Sequence, residues 1–222
     1  MKRKLLFCWS GGKDSALALW EVLKSNRYNV VALLTTVTRV YDRISMHGVR
    51  RSLLEKQAAS LNIPLEIVWI EKGSSNEDYE KQMREMLLKY KKRRISQVAF
   101  GDIFLEDLRK YREDKLAEIG MKAIFPIWKR NTKDLAHEFV RAGFKAVISC
   151  VDTKTLDASF AGREFNAKFL SDLPASVDPC GENGEFHSFV HAGSIFRKPI
   201  YFALGEKVMR EERFCFCDLV PA

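Results

Sequence analysis

The sequence predicts an α/β fold: a parallel sheet with helices on both faces (Rossmann-like), followed by a smaller α+β C-terminal part. Three observations carry this. Apolar runs of strand length alternate with amphipathic runs through roughly the first 120 residues, the pattern of strand–helix–strand units. The first strand passes to the first helix through a glycine-rich turn, Ser10-Gly11-Gly12-Lys13-Asp14-Ser15. Around Phe125-Pro126-Ile127-Trp128 the pattern changes, and from Phe186 onward the chain favours strands.

In chain order, Leu5 to Trp9 has the length and apolar character of a buried strand, and Ala16, Leu19, Trp20 and Leu23 recur at helical spacing. Val30 to Thr36 is a β-branched second strand. Val49 to Leu61 is a helix closed near Pro64, and Leu65 to Ile70 is a third strand. Gly73-Ser74-Ser75-Asn76 then punctuates, with Asn76 as the helix cap and Glu77 and Asp78 in the first turn. Val98-Ala99-Phe100 is a short strand ending in Gly101-Asp102; a charged helix runs to about Glu118, and Ala123 to Phe125 is another strand. Asn131 to Ala142 reads as a helix ended by Gly143, and Phe144 to Val151 as a strand. Leu156 to Leu170 carries helix signals broken around Gly162. Ile195 to Ala203 and Arg213 to Leu219 are candidates for a terminal hairpin or small sheet. The expected division is residues 1–125 and 126–222, packed closely because no low-complexity linker joins them.

Composition bounds the function. A 222-residue chain with 46% hydrophobic content can build a proper core. The start, Met1-Lys2-Arg3-Lys4 before Leu5 to Trp9, imitates a leader, but the apolar run is short and leads straight into the glycine turn. No stretch approaches the ~20 apolar residues of a membrane span. The expectation is a cytoplasmic protein with no membrane partner. Five cysteines, at 8, 150, 180, 215 and 217, make no disulfide framework, and Cys215-x-Cys217 reads as alternating buried residues rather than a metal or redox pair. The net charge of +8 invites a nucleic-acid reading. Much of the excess, however, lies in Lys89-Tyr90-Lys91-Lys92-Arg93-Arg94, at a helix end where the dipole favours cations. A solvated helix end is the default, and nucleic acid is not the expected partner. A homo-oligomer stays open.

In a parallel sheet, ligands sit at the carboxyl ends of the strands near the switch in strand order. That rule gathers the turn at 10–15, Leu34 to Thr36, the turn Met46-His47-Gly48, and Gly101-Asp102. Gly11 and Gly12 let a phosphate approach the backbone, and the helix start supplies amides and a positive dipole end. Lys13 adds a mobile positive charge, and Ser10 and Ser15 add hydroxyl donors. Asp14 is placed either to cap the helix or to hold a magnesium ion. A lone Gly-Gly would be read as a plain turn; the full run in this position favours phosphate binding. It is neither the nucleotide-triphosphatase P-loop nor G-x-G-x-x-G. It resembles the pyrophosphate loop of the N-type ATP pyrophosphatases, which cleave ATP between the α and β phosphates.

A second dense stretch is Asp178-Pro179-Cys180-Gly181-Glu182-Asn183-Gly184-Glu185-Phe186-His187-Ser188-Phe189-Val190. Read alone, it is a glycine-rich turn with polar caps entering a strand, Glu185 and His187 on one face. No Cys/His set has zinc spacing. Together with the loop at 10–15, Gly101-Asp102-Ile103 and Phe125-Pro126-Ile127-Trp128, this stretch resembles the diphthine–ammonia ligase family, over almost the whole chain. Phe186 and Ser188 stand where Tyr and Thr are usual, both mild departures.

The resemblance implies a ligase that amidates diphthine on translation elongation factor 2 with ATP and ammonium, through an acyl-adenylate, releasing AMP and pyrophosphate. Ser10, Gly11, Gly12, Lys13 and Ser15 would then grip pyrophosphate, and Leu34 and Thr35 would seat adenine by backbone contact. Asp14 and Asp102 become the candidates for Mg2+. Lys13, Asp14, Asp102 and Glu185 are the expected catalytic residues, and Trp128, Glu182, Glu185 and His187 the substrate side. Gly101 borders the nucleotide; His47 either faces it or closes a turn. The rival readings are an RNA-modifying adenylating enzyme, such as a tRNA thiolase, and a module that senses ATP or AMP without turnover.

Overall fold

The computed structural model describes residues 2–45 and 47–222. The first sheet contains β1 (Arg3–Cys8), β2 (Tyr28–Thr38), β3 (Arg43–Ile44), β4 (Leu65–Ile70), β5 (Gln97–Ala99) and β6 (Lys122–Ile124). All but β3 run parallel, in the order β4-β2-β1-β5-β6. The chain builds outward from β1 on one side, then crosses to its other side at β5, so the switch in strand order falls between β1 and β5. β1 pairs with β2 as far as Leu34, and β3 takes the same edge at Val37 and Thr38. Thr35 and Thr36 lie in the gap between those two pairings.

Alternation along β1 divides the core between the two faces. Leu5, Phe7 and Trp9 pack with Leu17 and Leu19 of α1 (Lys13–Lys24) and with Leu53 and Leu54 of α2 (Arg51–Leu61). Leu6 points the other way, onto Leu87 and Tyr90 of α3 (Asn76–Lys92) and Leu116 of α4 (Glu106–Glu118). One helix end differs from the sequence reading, and another helix ends at Leu61 as read. Ser75, not Asn76, caps α3, because its hydroxyl accepts from Asp78 N–H while the Asp78 carboxylate accepts from Ser75 N–H, a capping box. α2 closes at Asn62, whose left-handed φ of 56° turns the chain before Pro64 is reached.

The C-terminal part holds α5 (Thr132–Arg141), capped by Asn131, then β7 (Lys145–Asp152), α6 (Ala167–Asp172), β8 (Phe186–Ala192), β9 (Phe202–Arg210) and β10 (Phe214–Pro221). Its four strands are antiparallel in the order β8-β7-β10-β9. The strand expected at Ile195 to Ala203 begins only at Phe202. Ile200 is buried and its N–H donates to the His191 carbonyl of β8 at 2.7 Å, but Pro199 beside it has no N–H to continue a ladder, so the pairing stops at that single bond. Cys215 and Cys217 are buried free thiols on β10, Cys215 paired with Val151 of β7 and Cys217 packed against Gly162.

The two sheets share one apolar core, which runs from Phe7 and Leu54 through Phe139 and Ile148 to Phe189. Its polar exception is Gln57 on α2, with none of its surface exposed. Gln57 Nε2 donates to the carbonyls of Gly11 (3.0 Å) and Val190 (2.6 Å), and its Oε1 accepts from Trp9 Nε1 (2.8 Å). Val190 N–H also donates to the Gly11 carbonyl at 2.9 Å. On the far side of α2, Asp218 of β10 pairs with Arg43 (2.8 Å) and Arg50 (2.6 Å). Replacing Gln57 by Leu keeps the volume but strands an indole N–H and weakens two carbonyls. Urea unfolding should show a loss of about 3 kcal/mol, at the upper end of the cost of unsatisfied buried polar groups.

Candidate active site

β1 ends at Cys8 and α1 begins at Lys13, so residues 9–12 make the turn at the switch point. Gly11 adopts a φ of +77°, and a Cβ there would lie 2.7 Å from Gln57 Oε1. Gly101, just past β5, passes so close to the loop that its Cβ would lie 2.9 Å from Ser15 N. Gly12 occupies the cap position of α1, and Asp14 does not cap the helix. The first turn is instead held from outside: Lys13 N–H donates to Ser188 Oγ of β8 at 3.1 Å. Ser10 Oγ donates to Ser15 Oγ (3.1 Å), which donates to the Gly12 carbonyl (2.8 Å).

Lys13 is not the mobile cation that the sequence suggested. It is 2% exposed, and its ammonium donates to Asp14 Oδ2 (2.9 Å) and to the Cys180 carbonyl. The Phe186 ring lies 5.1 Å from Nζ. Burial opposes its charge, but the Asp14 carboxylate more than offsets this and its pKa is raised. Burial also raises Asp14, against the pull of Lys13. Asp14 Oδ1 is buried without a partner among the described residues.

The second stretch arrives opposite the loop. Gly181, with φ +65°, brings the backbone so close that a Cβ would sit 2.8 Å from the Phe186 carbonyl. Glu182 leans across, and its Oε1 accepts from Ile103 N–H at 2.8 Å. Burial, with Asp14 adding to it, pushes the Glu182 carboxyl up to about 7. His187 and His47 face each other with ring centroids 4.4 Å apart. Burial and the Lys13 charge lower His187 to about 4. His47 is lowered well below its ordinary value by burial, His187 and Lys13, and its Nδ1 has no partner among the described residues. Both imidazoles are neutral at pH 7. Met46, in the turn the sequence singled out, lies outside the described residues.

These groups line one cleft of about 360 Å³. Ser10, Gly12, Lys13, Asp14 and Ser15 form its floor, Leu34, Thr35 and His47 one wall, and Gly101, Asp102, Glu182 and His187 the other. Three expected residues lie elsewhere. Gly11 turns its carbonyl back to Gln57 and Val190. Glu185, placed by alternation beside His187, is buried behind the loop, because its carboxylate accepts from Asp178 N–H, Asn183 N–H and Asn183 Nδ2, each at 3.0 Å. Trp128 stacks on Phe125 at 5.6 Å under the Arg109 guanidinium, outside the cleft. Two residues the sequence reading missed help to build the site. Gln57 holds the loop, and its signal is a polar side chain on the apolar stripe Leu53, Leu54, Ala58 and Leu61. Arg112 of α4 reaches into the cleft, pairs with Asp102 (2.7 Å) and covers the Phe100 ring at 4.4 Å; its spacing with Leu116 and Ile119 placed it on the inner face.

Of the two expected metal ligands, Asp14 has a free oxygen, whereas Asp102 already holds Arg112. Among the described residues no group of three or more His, Cys, Asp or Glu side chains gathers to hold a metal. Such a donor set suits a cation that also takes oxygens from a ligand, not a cage made by protein alone.

A desolvated lysine at a helix start, placed at the switch point of a parallel sheet, is the arrangement of an anion-binding α/β enzyme. Family models then specify it: the diphthamide synthase N-terminal domain matches residues 2–123 and the C-terminal domain residues 131–219, and the chain belongs to the diphthamide synthase family. By enzyme class it is a ligase. Its similar proteins include the diphthine–ammonia ligase of Schizosaccharomyces pombe, 26% identical over 92% of this chain, of which the chain spans 37% of the length. The zebrafish (Danio rerio) ligase is 24% identical over 91% of this chain and 88% of its own, and the mouse (Mus musculus) ligase 26% identical over 90% and 83%. A predicted tRNA methyltransferase subunit from Methanocaldococcus jannaschii, 18% identical, is similar with a TM-score of only 0.36 over 61% of this chain and 73% of that one.

Two outcomes follow from this geometry. Glu182 binds its proton more tightly folded than unfolded, so stability falls as pH rises from about 4.5 to about 7. Thermal melts at pH 5 and pH 8 should show that Glu182→Gln gains more, relative to the wild type, at pH 8. Gly101→Ala should weaken nucleotide binding at least tenfold in titration calorimetry, because its methyl group meets backbone that has no room to move.

Proposed function

We propose that the protein converts the diphthine of translation elongation factor 2 to diphthamide with ATP and ammonium, releasing AMP and pyrophosphate. The observation that supports this reading best is the joining of the two motif-bearing stretches: Lys13 of the glycine loop is held by the Cys180 carbonyl and by Ser188 of the second stretch. A loop for ATP alone would not need that second wall. Residues 1–125 then bind ATP and residues 126–222 present the substrate.

A carboxylate is not amidated directly, since oxide is a poor leaving group, and transfer to AMP supplies a good one. In this reading Lys13, desolvated and held in place, stabilises the charge that grows on departing pyrophosphate. The Ser10 and Ser15 hydroxyls, which pair with each other, with the Gly12 N–H and with the Gly12 carbonyl, turn toward the same oxygens. The backbone of Leu34 and Thr35, beside the gap in the β2 pairing, seats adenine. Magnesium bound at Asp14 Oδ1 would neutralise phosphate charge, and Asp102 would join it only by releasing Arg112. Glu182 and His187 border the diphthine side chain, and Glu185 acts by holding their loop in shape.

The thiolase reading is disfavoured by Cys8, the cysteine nearest the loop, whose thiol burial pushes up to about 12. No helix among the described residues is long and apolar enough to cross a membrane. With elongation factor 2 as its substrate, the protein works in the cytoplasm.

Incubation with ATP, ammonium and diphthine-bearing elongation factor 2 should yield AMP and a factor with the mass of the carboxamide; AMP without amidation, or neither, overturns the reading. Lys13→Met should lower kcat roughly 100-fold or more while the protein stays folded. Glu185→Gln, which removes one acceptor oxygen from three N–H donors, should depress amidation and lower the melting temperature together, with ATP affinity nearly intact.

A further inference from the structure

The sequence assigns the excess positive charge to the end of one helix. The fold collects far more than that. At the amino ends of the parallel strands, opposite the cleft, Arg3 N–H donates to the Arg27 carbonyl (3.0 Å) and Lys122 N–H to the Ser96 carbonyl (2.9 Å). β1 and β5 are in register at Leu6 and Val98. Arg27, Arg3, Arg94 and Lys122 therefore stand at the beginnings of four adjacent strands, a row of about 14 Å at a strand spacing of roughly 4.8 Å. Lys2 and Lys4 extend the row, and all six are exposed. The C-terminal ends of α1 and α3 flank it with Lys24, Lys92 and Arg93, also exposed.

The helix dipole explains only the flanking cations, because Lys2, Arg3, Lys4, Arg27 and Lys122 are on no helix end. Nor does local pairing neutralise the row: none of its six cations takes part in an ion pair among the described residues. The acids at this end, Glu21, Glu66 and Glu118, are already engaged by Lys24, Lys89 and Arg84. Unpaired, solvated like charges held together cost stability unless they meet an anion.

We propose that this end of the sheet is a docking surface for the phosphate backbone of an RNA helix. An acidic protein fits it less well, because protein interfaces rely on apolar and aromatic anchors. Among the described residues the one large apolar side chain exposed here is Leu23, on α1. No exposed aromatic ring lies here to stack unpaired bases, which argues against a single strand. Among the described residues, β2, β5 and β6 are entered by short loops after α1, α3 and α4, with no further helix or ribbon there to enter a DNA major groove. Recognition through backbone and shape is how RNA duplexes are bound. The surface lies at the opposite end of the sheet from the cleft, so docking leaves the cleft open and does not depend on which reaction occurs there.

The test uses a fluorescently labelled RNA duplex of about 16 base pairs, read by anisotropy across a salt series. The wild type should bind at low salt, with affinity falling linearly on a log–log plot. The triple variant Arg27→Gln, Arg94→Gln, Lys122→Gln should reduce that slope by about three and weaken binding at least tenfold, with AMP formation unchanged and a melting temperature equal to or above that of the wild type. No binding at low salt, or an unchanged slope in the triple variant, overturns the proposal. Equal affinity for a DNA duplex, or stronger competition by polyglutamate than by unlabelled RNA, overturns the choice of RNA.

Discussion

Gln57 is the fully buried polar side chain on which the glycine loop and the second sheet close together. It sits between the first strand, the glycine loop and β8, and satisfies a backbone carbonyl of each of the latter two. Apolar packing around it would hold two sheets together in many registers, because dispersion and burial are not directional. Three hydrogen bonds in a dry interior are directional, and mispairing any of them leaves a polar group without water or partner. The glycine at position 11 follows from this: the amide needs the space that a Cβ would take.

The same closure sets the electrostatics of the cleft. Because β8 and the 178–188 stretch cover the loop, Lys13 loses its water and takes backbone and carboxylate partners instead. Its charge, fixed and poorly screened, then works on every titratable neighbour. It depresses both histidines and opposes the rise of Asp14. Burial sets the direction of these shifts and one buried cation biases them all, in a site assembled from residues more than 170 positions apart.

The fold was legible where physics is local. β1 declared itself by length and apolarity, α5 by the Gly143 that ends it, and the loop by glycines between a strand and a helix. The convergence of the loop, Leu34, His47 and Gly101 followed from one rule about parallel sheets, whereas the second stretch entered the site only through the family resemblance. What escaped the sequence needed tertiary information. Glu185 and His187 share a strand-like spacing, but Glu185 precedes β8 and is drawn back by three N–H donors of its own loop. Trp128 is near the site in sequence motif yet is covered by Arg109 from a different helix. Lys13 looked mobile because nothing local shows that a carbonyl 167 residues away will hold it.

The bond from Lys13 to the Cys180 carbonyl has a thermodynamic corollary. An anion that draws the ammonium away leaves that carbonyl without its donor, so the 178–184 loop must rearrange or readmit water. Occupancy of the glycine loop and order in the opposite wall are then coupled variables, and linkage makes the coupling reciprocal. Whatever settles the second loop in its present shape makes Lys13 harder to recruit, and whatever recruits Lys13 frees that loop to reshape around a second ligand.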